Sequence, residues 1–138
     1  MLGRKTYTAQ EINQNRTALE QQLAAYDKLA AAADPGERTE FDSLFFVNLL
    51  LVLDRPFVHR IRPVTGKDCN PLNEVELLVE SLLTNQGRLL SSKVIKWIPE
   101  DTVTGLNPGD TINLSEDGFK DLATAFFATL ESKFLEAE

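Results

Sequence analysis

A chain of 138 residues is the size of one ordinary domain, and 43% hydrophobic with 25% charged residues is a globular rather than a disordered composition. The net charge of −7 argues against nucleic acid as a partner, because an acidic surface repels phosphate backbones at long range. A single cysteine excludes an intrachain disulfide and suits a reducing compartment.

The opening stretch, MLGRKTYTAQEINQNR, has no apolar core, so no signal peptide is expected. Residues 8–33 predict a long helix. Thr8 and Glu11 match a capping box, each satisfying an amide that the first turn leaves free. Ile12, Leu19 and Tyr26 are spaced by seven, and Arg16, Leu23 and Ala30 repeat that spacing offset by four. This a/d pattern packs either on the rest of the chain or on a second copy, which makes Ile12, Leu19, Leu23 and Tyr26 candidate interface residues. Asp34, Pro35 and Gly36 are expected to stop the helix.

A second helix is expected over 40–53, with Thr39 and Asp42 at its cap. Its run from Leu44 to Leu53 is so apolar that little polar face remains, the mark of a helix at the centre of something, which neighbouring helices or another subunit must cover on every side. Asn48 interrupts it and needs a partner if buried, since an unpaired amide costs about 1–3 kcal/mol. The stretch is too short to cross a bilayer, which takes about 20 residues. Pro56 removes a donor, and the helix is expected to kink there and continue to Ile61, ending at Pro63 and Gly66.

Asn70 and Pro71 predict the N-cap and first position of a third helix, buried through Leu72, Val75, Leu78, Val79 and Leu82. Glu74, Glu76 and Glu80 are expected on its solvated side, and Asn85-Gln86-Gly87 at its end. SKVIKWIPE (92–100) and DTINL (110–114) are strand candidates joined by a long loop with a turn at Pro108-Gly109. Ser115 caps a last helix over 116–135, whose apolar face runs Phe119, Leu122, Ala123, Phe126, Leu130 and Phe134. The expected fold is mainly α: one four-helix bundle-like domain over 1–138, with a small two-stranded β element before the C-terminal helix.

The pattern offers little for catalysis. His59 and Cys69 are the only residues of their kind, with no orienting acid or oxyanion hole marked beside them. No phosphate loop, dinucleotide fingerprint or nucleophile elbow occurs. One His and one Cys do not build a zinc site, and the acids of 101–117 lack calcium-loop spacing. No metal or cofactor is expected.

The segment from Arg55 to Lys67 stands apart. It carries Arg55, Arg60, Arg62 and Lys67 without an acid, a local +4 that leaves −11 for the rest of the chain. On a helix continued past Pro56, Arg55, His59 and Arg62 share a face and Arg60 points away. With Lys67 and the N-terminus of the next helix they form a candidate site for a small anion or nucleotide. The competing reading pairs these charges with Asp54, Asp68, Glu74 and Glu76 as a joint between two helix ends.

LDRPFVHRIRPVTGKDCNPLNEVE (53–76), with LNPGDTINL and AFFATLESKF near the end, resembles a set of small bacterial proteins without an assigned activity. That resemblance implies a cytoplasmic bacterial protein and contributes no site residues. The expectation from the chain is a non-enzymatic helical interaction module that self-associates, as a homodimer or with a protein partner. The alternative is a small-anion- or nucleotide-binding regulatory protein using the corner at 55–67.

Overall fold

The computed structural model describes residues 3–137. Its elements are helices: α1 (Ala9–Ala31), α2 (Pro35–Asp54), a four-residue α3 (Arg62–Thr65), α4 (Pro71–Thr84) and α5 (Glu116–Phe134), with 3-10 turns at Arg55–Phe57 and Pro99–Asp101. α2, α4 and α5 pack on one another, and α1 lies across α2 and α5. The core they share is built around Phe46, Leu50, Phe57, Leu72, Leu78, Phe119, Leu122, Phe126 and Phe134.

The expected β element is absent: no β-strand occurs among the described residues, only isolated bridges. The two candidate segments do not pair with each other. Lys96 donates its amide to the Lys67 carbonyl at 2.6 Å, whereas Leu89 donates to Asp110 and Ile112 to Gly87, at 2.9 and 2.8 Å. Each segment is thus tied to a loop flanking α4. Their β-branched residues serve as anchors instead, with Ile95 and Ile112 dropped into the core. The expected turn does form, closed by the Asp110 amide on the Asn107 carbonyl at 3.0 Å with Gly109 at φ +93°.

α2 starts five residues earlier than the apolar run suggests. Asp34 is its N-cap, accepting from the amides of Gly36 and Glu37, and Pro35 opens the helix. The residues expected only to stop α1 therefore also start α2, because proline fits the first helical position, where its missing N–H is not needed. α2 does not continue past Pro56. After the 3-10 turn, the backbone of 59–61 is taken by the N-terminal segment: Arg4 donates to the His59 carbonyl at 2.7 Å and Ile61 donates to the Arg4 carbonyl at 3.2 Å. Pro63 then opens α3 rather than ending a helix, and Gly66, at φ +76°, closes it.

Tyr7 completes that N-terminal contact. Its amide donates to Phe134, its carbonyl accepts from Glu136, and its ring packs edge-on against Phe57 at 5.0 Å. The segment before α1 thereby joins the turn after α2 to the end of α5.

Candidate functional site

The heptad face of α1 is turned inward. Ile12, Leu19 and Tyr26 are buried in the core and Leu23 packs against it. Tyr26 stacks on Phe41 and Phe45 and meets Phe46 edge-on. Its hydroxyl donates to Asp42 and accepts from Arg38 at 3.2 Å, tying α1 to the first turns of α2. Burial and the bond to the Asp42 carboxylate raise the Tyr26 hydroxyl above its ordinary pKa. The seam read as a possible contact with a second copy is thus occupied largely by the chain itself. What remains open along it is a groove of about 620 Å³ between α1 and α5, floored by Leu19, Leu23, Ala123 and Phe127. Ion pairs stand at its rims: Arg16 with Glu131, and Lys120 with Asp27 at 4.0 Å.

The basic segment does not form the face expected of it. With α2 ending at Asp54, Arg55 lies in the 3-10 turn, His59 in the turn beyond, Arg62 at the start of α3 and Lys67 in the following loop. Arg60, expected to point away, is the most deeply buried of the group. Its side chain is 2% exposed and pairs at 2.9 Å with that of Asp54, which is 8% exposed. It also donates to the carbonyls of Phe57 and Leu72 and lies 5.3 Å from the Phe126 ring centre. Among the described residues, its Nε and the hydroxyl of Tyr7 have no hydrogen-bond partner.

Arg62 is held as well, by the Glu76 carboxylate, the Asn73 amide oxygen at 2.8 Å and the Gly66 carbonyl. The cavity beside it, about 260 Å³, is lined by Glu76, Glu80 and residues 90–95, without Arg55, His59 or Lys67. The corner is therefore a joint between helix ends, in which two arginines answer two carboxylates. Arg55, His59 and Lys67 are exposed to solvent.

α4 carries the polar residues that the pattern missed. Asn73 donates to the Gly66 and Asp68 carbonyls at 3.1 and 2.7 Å. Glu74, expected on the solvated face, is 0% exposed. Its carboxylate accepts from the amides of Val103 and Thr104, each at 2.9 Å, and from the Thr104 hydroxyl at 2.7 Å. Ser81 accepts from the Leu90 amide at 2.9 Å. Each buried polar side chain thus fixes a loop that has no ladder to satisfy its backbone. The signal for Glu74 lay in its spacing: it precedes Leu77, Leu78 and Ser81 by three, four and seven residues, which places all four on one helical face.

No family model, curated protein or solved structure matches this chain. The resemblance drawn on 53–76 and the C-terminal stretches therefore has no counterpart in those comparisons, and the reading of function rests on the molecule's surface.

The surface that stands out is on α2. One side of that helix buries Phe46, Leu49, Leu50 and Leu53. The opposite side leaves Leu44 61% exposed, Phe41 45% and Val52 40%, with Asn48 exposed among them. At the corner with α1, Phe41 and the exposed Leu29 line a depression of about 200 Å³. Asn48, which would need a partner if buried, faces solvent. Among the described residues, no helix is long and apolar enough to cross a membrane, and no group of three or more His, Cys, Asp or Glu side chains is placed to hold a metal ion.

Proposed function

We propose that this chain is a non-enzymatic helical interaction module that self-associates. The observation that carries this reading is the solvent-facing apolar side of α2. Phe41, Leu44 and Val52 are aligned along one helical face rather than scattered, with Asn48 between Leu44 and Val52, and exposed apolar side chains aligned in this way suit an interaction site. The polar groups offer no competing role. The Cys69 thiol is buried against the Ile98 carbonyl, while His59 is exposed. Asn73, Glu74, Ser81, Arg60 and Arg62 are each engaged in holding the fold. A buried free thiol also fits a cytoplasmic setting.

Light scattering from low to high micromolar concentration tests the reading. A mass that rises toward twice the monomer value is expected, and a constant monomer mass across the range contradicts it.

A further inference from the structure

The exposed face of α2 has a spacing and a charge order that point to one occupant and one orientation. From Phe41 it passes through Leu44, Asn48 and Val52 to Arg55, in steps of three, four, four and three residues. That sequence of steps is the same read in either direction, with Asn48 at its centre. Arg55 retains helical dihedrals, φ −57° and ψ −43°, so it stays in register with the stripe although α2 ends at Asp54. At about 1.5 Å per residue the stripe is roughly 21 Å long.

The charges are ordered along the same line. Glu37 and Glu40 are exposed at the N-terminal end of the stripe, and the exposed Arg55 stands at the other end. Among the described residues none of the three takes part in an ion pair. In a parallel pair of such helices, acids would meet acids. In an antiparallel pair, each arginine meets the acids of its neighbour.

We infer that α2 pairs antiparallel with α2 of a second copy across a twofold axis at Asn48. This rests on the self-association proposed above and specifies its geometry. Leu44 of one copy packs on Val52 of the other. Arg55 lies beside Phe41, Glu40 and Glu37 of the other copy, where its guanidinium meets both an aromatic face and two carboxylates. Asn48 meets its own symmetry mate, and a side-chain amide both donates and accepts, so the two satisfy each other. A lone Asn inside an apolar helical seam fixes register in this way, at some cost in stability. A twofold contact of this kind uses the same patch on both copies and closes at the dimer.

Cysteine cross-linking tests the geometry. Under mild oxidation Asn48→Cys is expected to form a disulfide-linked dimer. Leu44→Cys alone is expected to form none, because two copies of position 44 lie roughly 12 Å apart along the pair, beyond the reach of a disulfide. The native chain, whose only thiol is the buried Cys69, is the control. In a second arm, Arg55→Glu is expected to weaken the dimer roughly ten-fold or more, and adding Glu37→Arg with Glu40→Arg to restore it. If Leu44→Cys links to itself as readily as Asn48→Cys, the pairing is parallel and the inference is overturned. A dimer that neither Asn48→Cys links nor Arg55→Glu weakens overturns the geometry but leaves self-association standing. A native chain that is monomeric at high micromolar concentration overturns both.

Discussion

Arg60 and Asp54 are the residues on which the joint after α2 depends. Both are taken almost wholly out of water, and each is tolerable there only because the other is present. Removing one partner leaves an uncompensated buried charge. Arg60→Ala and Asp54→Ala are each expected to lower unfolding free energy by about 3–5 kcal/mol, measured by urea titration. The paired replacement Asp54→Leu with Arg60→Met is expected to cost much less, because it removes both charges and keeps the volume. Arg62, whose side chain is nearer the surface, behaves differently. Arg62→Ala is expected to cost about 1–2 kcal/mol, by loosening the loop that Arg62 and Asn73 hold together. The sequence showed a cluster of cations with acids nearby, but not which cation was internal. That choice depended on where α2 stopped: Pro56 cannot donate to the helix, and the backbone of 59–61 beyond it bonds to the N-terminal segment, a contact between residues far apart in the chain.

Among the elements, α1 shows a local signal read correctly in detail. The capping box at Thr8 and Glu11 forms as its spacing suggests, with the Glu11 amide donating to the Thr8 hydroxyl at 3.1 Å and the Glu11 carboxylate accepting from the Thr8 amide at 2.8 Å. Arg4 adds an ion pair at 3.0 Å. The Arg4 guanidinium first, and then the Thr8 amide, hold the Glu11 carboxyl below its ordinary pKa. A lowered carboxylate pKa favours the folded state above the unfolded value of about 4.3, and this contribution disappears as pH falls through the folded value. Because the Arg4–Glu11 pair is open to solvent and screened by it, Glu11→Gln is expected to destabilise the protein at pH 7 by only about 0.2–1 kcal/mol, and the gap from the native chain to close in acid. Thermal melts from pH 7 to pH 3 would reveal it, and a gap that persists at the acid end would contradict this account. The apolar period of α5 and the cap of α4 were equally legible, since both are local. The segments at 92–98 and 110–114 were not. Their β-branched composition suits a strand, but a strand exists only with a partner, and the loops beside α4 offered one first.

At the scale of the molecule, the apolar excess of α2 was visible in the sequence, but not which part of it the chain itself would leave uncovered. An all-apolar run suggests a helix covered on every side. Here three helices cover one side of α2, and Phe41, Leu44 and Val52 remain outside. The heptad face of α1 was the more obvious candidate for a partner, yet it is largely consumed by the core. The exposed apolar surface thus lies one element further along the chain than the periodicity of α1 indicated, because only the packed structure shows which apolar residues are left over. The most direct test is sedimentation velocity of the native chain and Leu44→Glu at matched high micromolar concentration, with a thermal melt of each. Leu44 makes little contact with its own core, so the substitution is expected to leave the fold and its melting profile nearly unchanged while converting a dimer to a monomer. A native chain that sediments as a monomer, or a Leu44→Glu protein that remains a dimer, would contradict the account.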